Sequence, residues 1–243
     1  MENNTIPIVS ISNMISSLVF LFVAGKIYFS YKRSKDEKIG DLAKFFILTT
    51  VFLFLIGAPG LIVNDLKIIG FLFAIFPSFA LIALAHLGII PLKIMYWERA
   101  EKFFFKGLIA ITFLITAINL FNWGPATVYY RNSFIIWQDT RGILMNNILG
   151  TVFGLGILLI IIFFIIQGFK SSESYLRIRA FLIASGLFSF FISTLVNFIF
   201  SASSQSYIIS QFLAILFVNL AAVLMMMGTY YKSKDYGESN RGN

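Results

Sequence analysis

The chain has 243 residues, 58% hydrophobic and 12% charged, with a formal net charge of +8; a soluble domain carries about 25% charged residues. It has no cysteine and one histidine, which excludes disulfides, thiolate metal and iron–sulfur sites, thiol catalysis, paired haem histidines and multi-histidine metal centres. The uncharged run from Ala180 to Tyr231, broken only by Ser201-Ala-Ser-Ser-Gln-Ser206, is long enough for two membrane spans of about 20 residues each and a polar turn.

Seven spans follow in chain order, at 6–31, 42–63, 68–97, 103–121, 143–167, 176–200 and 205–231. Their continuous apolar runs, without alternation, predict helices and not a barrel. The first is preceded by Glu2 and no cation, and it is too long for a cleaved signal, so it is expected to stay as a membrane helix. The third carries Pro77 and Pro91, which weaken its hydrogen-bond ladder, with His86 between them. The fourth carries a polar stripe of Thr112, Thr116 and Asn119.

Between spans four and five lies the one external loop of any size, 122–142. Its Thr127–Tyr130 and Phe134–Trp137 stretches are β-branched and aromatic. They predict a small hairpin or surface-lying segment held against the bundle mouth by Trp123 and Trp137, with a plain loop as the alternative. Span five holds Gly150-Thr-Val-Phe-Gly154 and Gly156, a pattern that packs membrane helices. Span six carries Ser185, Ser189, Ser193, Asn197 and Ser201 at every fourth position. That row reads as a packing seam or as one wall of a ligand-lined cavity. Asn219 sits inside span seven, and the tail after Tyr231 is polar and short.

Orientation follows from Lys and Arg. With the N-terminus outside and the C-terminus cytoplasmic, sixteen of the nineteen fall on inner segments, and only Lys67, Arg131 and Arg141 fall outside. The fold class is therefore an all-α seven-transmembrane-helix bundle in the cell membrane, followed by the tail 232–243. The positive charge faces anionic lipid, and no nucleic-acid partner is needed.

All eleven acidic residues read as lying at or beyond the membrane boundary, so no ionisable relay of the kind found in pumps is expected. Span seven has no lysine before Lys232, which excludes a retinal Schiff base there. No nucleophile–base pair is evident; no catalytic residue, metal or cofactor is expected. Lys26 and Lys93 lie near enough to the inner face to snorkel and are given no site. His86 is the one titratable group deep in the bilayer, either a structural hydrogen-bonding residue or a pH- or ligand-responsive one. The candidate ligand residues are His86, Asn119, Trp123, Ser189, Ser193, Asn197 and Asn219. They are expected to line an outer-half pocket between spans three, four, six and seven, suited to an apolar or amphiphilic molecule.

Asn119-Leu-Phe-Asn122-Trp123, the aromatic loop after it, and Gly142 opening a new helix resemble the seven-transmembrane input domains of prokaryotic sensor kinases and cyclases. That resemblance implies a sensor or receptor; with no output domain after span seven, it would stand alone and act through a separate cytoplasmic partner. The alternative is a small-solute transporter of three-plus-one-plus-three architecture. Its expected matching proline hinges are absent, since Pro59, Pro77 and Pro91 all lie in the first half. Oligomeric state is left open.

Overall fold

The computed structural model describes residues 6–131, 134–138, 143–199 and 207–231. Among these described residues seven helices are long and apolar enough to cross a membrane: α1 (Ile8–Ser34), α2 (Glu37–Gly57), α3 (Leu66–Ile94), α4 (Glu98–Phe121), α5 (Ile143–Lys170), α6 (Ser174–Ile199) and α7 (Tyr207–Tyr230). The chain is a multi-pass membrane protein, a helical bundle carrying one antiparallel hairpin, β1 (Thr127–Arg131) with β2 (Phe134–Gln138).

Capping chemistry sets the helix ends. Asp36 accepts the Lys38 amide at 2.9 Å, which starts α2 at Glu37 and not at the apolar residue Leu42. Asp65 accepts the amides of Lys67 and Ile68 at the start of α3. Helix α2 stops at Gly57, short of the apolar run's end at Val63. Pro59 follows, and Gly60 at φ 75° makes a tight turn closed by its amide on the Val63 carbonyl. The shift at the start of α2 matters most, because it brings Asp41 inside the helix.

Successive helices run antiparallel. The sequences α1–α2–α3 and α5–α6–α7 pack in order, and contacts of α1 with α7 and of α3 with α5 close them into a six-helix ring. Helix α4 packs on α3, outside that ring. Phe20, Phe45, Phe46, Phe153 and Phe190 fill the ring, with centroids of paired rings 5.2–6.4 Å apart. The outward apolar side chains, such as Phe113, Leu114 and Leu159, suit lipid contact. Lipid is as apolar as these side chains, so close packing and hydrogen bonds must hold the helices together.

The α6–α7 seam shows both. Ser189 and Ser193 donate to the Phe217 and Ala214 carbonyls, each at 2.8 Å. A Cβ on Gly186 would lie 2.6 Å from Met225 Cγ, and one on Gly228 would lie 3.0 Å from the Arg179 carbonyl. Ser185 is exposed, so the i, i+4 row leaves the seam there and Gly186 carries it on. On α5, Gly156 admits Leu84 of α3.

At one end of the bundle the hairpin is tied down by its neighbours. Trp137 rests on Gly60, where a Cβ would lie 2.0 Å from Cη2, and Trp123 stacks edge-on against Phe71 at 5.8 Å. The Ala126 amide donates to the Leu66 carbonyl, and Ile6 forms a bridge to Phe134. The opposite end, with the α1–α2, α3–α4 and α5–α6 turns, carries Lys32, Arg33, Lys35, Lys38, Lys170 and Arg177. We refer to these as the hairpin end and the basic end.

Candidate functional site

Two helical spacings build the site. Glu37 and Asp41 are one turn apart on α2, and His86 and Lys93 are two turns apart on α3; each pair shares a face. Because α2 and α3 are antiparallel, the start of one meets the end of the other. Asp41 is at the centre with its side chain 3% exposed. Its Oδ1 lies 3.1 Å from His86 Nδ1 and 3.4 Å from Lys44 Nζ, while its Oδ2 accepts from Lys93 Nζ at 2.6 Å. With Asp41 ionised, Nδ1 carries the imidazole proton and donates, an assignment made from this hydrogen bond.

Lys93, 15% exposed, also donates to Glu37 at 3.1 Å and forms a longer ion pair with Glu101 of α4 at 3.7 Å. One turn beyond Glu101, Phe105 packs against the His86 ring at a centroid distance of 5.1 Å. The cluster therefore joins α2, α3 and α4. Three carboxylates (Glu37, Asp41, Glu101) face two ammonium groups (Lys44, Lys93). With a neutral imidazole that is a surplus of one negative charge; a protonated His86 removes it.

Lys93, Glu37 and Glu101 open onto a cleft of about 290 Å³ at the basic end, bounded also by Tyr96, Trp97 and Glu98. The turn that forms its lip is strained. Tyr96 has φ 57°, and the Tyr96 and Trp97 amides return to the Lys93 and Leu92 carbonyls. That is the Schellman helix ending, with tyrosine where glycine is usual.

The expected site residues fall in three separate places. His86 belongs to the basic-end cluster. Asn119 donates to the Ala74 carbonyl at 3.4 Å, beside a Ser78–Thr116 hydroxyl pair at 2.6 Å, and with Trp123 it fixes α4 and its following loop to α3. Ser189 and Ser193 lie in the α6–α7 seam. Asn219 has a buried Oδ1 without a partner, and the side chain of Asn197 lies outside the described residues, as do Ser201 to Ser206. Among the described residues α4 packs on α3, outside the ring that holds α6 and α7.

The sequence reads the acids as lying at or beyond the membrane boundary and gives Lys93 no site, whereas Asp41 lies inside α2 and holds Lys93 through its Oδ2. Their signal was the same-face spacing of Glu37 with Asp41 and of His86 with Lys93. Among the described residues no group of three His, Asp or Glu is placed to hold a metal ion.

No protein-family model and no curated protein matches this chain. The reading of the site therefore rests on its geometry.

Proposed function

We propose that this protein is a seven-helix membrane sensor whose two-state element is the Asp41–His86–Lys93 cluster, with α4 moving against the six-helix ring and a separate partner reading the change at the basic end. The observation that carries this reading is the cluster's position. A charge-unbalanced network, buried at Asp41 and open to solvent at Glu37 and Lys44, ties α4 to the ring at its basic end, and α4 is otherwise held to α3 by a few polar contacts and apolar packing. A stimulus shifts such an equilibrium only by interacting differently with its two states, and the charge state of this cluster supplies that difference. In the proposed orientation the basic end is cytoplasmic, as the positive-inside bias predicts. The resemblance of the 119–123 segment and its loop to prokaryotic sensor input domains supports the same role.

The test is a spin-label distance between α2 and α4. Labels at cysteines replacing Lys38 and Lys102, in a chain that has no cysteine of its own, should show two populations. His86→Leu, which removes the imidazole's bond to Asp41, should change their ratio. A single distance in the parent protein rules the sensor reading out.

One feature of the ring favours a second reading, transport. The α1–α7 and α3–α5 contacts exchange when the triplets α1–α2–α3 and α5–α6–α7 exchange, with α4 left as a connector. This is the contact pattern of two parallel repeats. A transporter would have to open the phenylalanine core to pass a solute, and solute uptake into liposomes distinguishes the two.

A further inference from the structure

A second cavity lies on the other side of the first turns of α2, inside the ring. It has a volume of about 140 Å³ and opens at the basic end. Its wall is apolar and drawn from four helices, with Ile39 and Leu42 of α2, Leu87 and Ile90 of α3, Phe164 of α5 and Ile183 of α6. At its mouth stand Arg179 of α6 and Lys38 of α2. Neither cation forms an ion pair with a carboxylate among the described residues. Arg179 donates Nε to the Gly228 carbonyl at 3.1 Å and Nη2 to the Thr229 carbonyl at 3.3 Å. Those two bonds fix the guanidinium plane over the end of α7, and among the described residues the other N–H groups of its five-donor fork have no acceptor. Asp36 also borders the mouth, but one of its carboxylate oxygens accepts the Lys38 amide.

We propose that this cavity binds a small amphipathic monoanion, its carboxylate or phosphate head on Arg179 and its apolar tail among Leu87, Ile90, Phe164 and Ile183. Among the described residues the half-buried guanidinium is bonded to neutral carbonyls and the mouth's two cations outnumber its one carboxylate, Asp36; an anionic head supplies the missing charge in the geometry that arginine prefers. The volume sets the tail. A cavity of about 150 Å³ lined by aliphatic and aromatic side chains takes a benzene-sized group, so the enclosed tail has about six carbons. The head chemistry is shared by a free short-chain acid and by an anionic lipid that inserts one chain end. Binding here goes beyond the sensing role and is required by neither reading of function.

The experiment uses the full chain in nanodiscs of zwitterionic lipid, with hexanoate, hexanol and hexylamine as probes and saturation-transfer NMR with thermal shift as readouts. Hexanoate should bind at least tenfold more tightly than hexanol, and hexylamine should not bind. Arg179→Gln should cost hexanoate tenfold or more. Since Arg179 also caps α7, that variant can fail to fold, and Ile90→Phe provides an independent check by filling the cavity and abolishing the hexanoate signal. Nanodiscs containing phosphatidylglycerol then identify the source. Competition with hexanoate assigns the site to lipid, and undiminished hexanoate binding assigns it to a free acid. Equal binding of hexanoate and hexanol, or hexanoate binding unchanged in Ile90→Phe, overturns the proposal.

Discussion

His86 Nδ1 lies 3.1 Å from Asp41 Oδ1 across 45 residues of sequence, and the other oxygen of the same carboxylate holds Lys93. One acid thus satisfies two donors that sit two turns apart on α3. Removing it leaves both donors facing a site with 3% side-chain exposure. Asp41→Ala should destabilise the bundle by about 3 kcal/mol, the lower end for breaking a buried pair, because Lys93 keeps some solvent contact. Replacing both partners, Asp41→Leu with Lys93→Met, should recover most of that loss. Denaturant unfolding in detergent measures each variant, and a strictly additive double mutant would show that the pair does not interact.

The seam between α6 and α7 gives a contrasting result. Ser189→Leu must place a branched side chain where an oxygen lies 2.8 Å from the Phe217 carbonyl, and overpacking of this kind costs about 1–3 kcal/mol. Ser189→Ala removes one hydrogen bond without adding volume and should cost about 1 kcal/mol. A Leu variant as stable as the parent would mean that the two helices can separate there at no cost.

Much of this architecture was legible because lipid imposes a strong constraint. Length and apolarity mark the helices, and the β-branched and aromatic residues of Thr127–Tyr130 and Phe134–Trp137 mark the hairpin, which forms with Trp123 and Trp137 packed at its base. The site was not legible for a physical reason. Hydropathy locates the hydrocarbon, not the helix, and it put the start of the second span at Leu42, one residue after the acid that organises the cluster. Capping by Asp36 begins the helix earlier and brings Asp41 against His86. Nor does composition separate α4 from the ring helices. It is as apolar as they are, and its position outside the ring shows only in its partners, Ser78 for Thr116 and Ala74 for Asn119.

The Tyr96 backbone offers a gain in stability. A non-glycine residue in the left-handed region costs roughly 1–2 kcal/mol, and Tyr96 is held at φ 57° with its side chain largely in solvent. Tyr96→Gly should therefore raise stability by about 1 kcal/mol, part of the relief being lost to the greater freedom of glycine in the unfolded chain. A lowered melting temperature would show that the ring itself stabilises the cleft, and would make Tyr96 part of the site.

At the hairpin end, Gly60 predicts a local effect. Its left-handed φ and the 2.0 Å approach of Trp137 Cη2 to any added Cβ mean that Gly60→Ala both strains the turn and displaces the indole. The β-hairpin should then detach from the bundle while the helices persist. Fluorescence recorded with Trp97 and Trp123 replaced by Phe reports on Trp137 alone, and its emission should move to longer wavelength with circular dichroism unchanged. Emission at the parental wavelength would show that the indole has another resting place.

Orientation is the prediction on which the others depend for their biological side. Among the described residues the basic end gathers cations from every turn it contains, whereas the hairpin end of α3 offers Lys67. A segment rich in Lys and Arg is retained on the cytoplasmic side during insertion, so the hairpin should face out and the Asp41 cluster should lie near the inner leaflet. Native cysteines are absent, so single replacements report cleanly. Asn64→Cys, in the turn before α3, should react with a membrane-impermeant maleimide in intact cells. Ser172→Cys, in the turn between α5 and α6, should react only after the membrane is permeabilised. The reverse pattern would invert the bundle and place the cluster and the Arg179 cavity on the outer surface. Labelling of both sites in intact cells would mean that the number of crossings between them is even, contradicting the three crossings made by α3, α4 and α5.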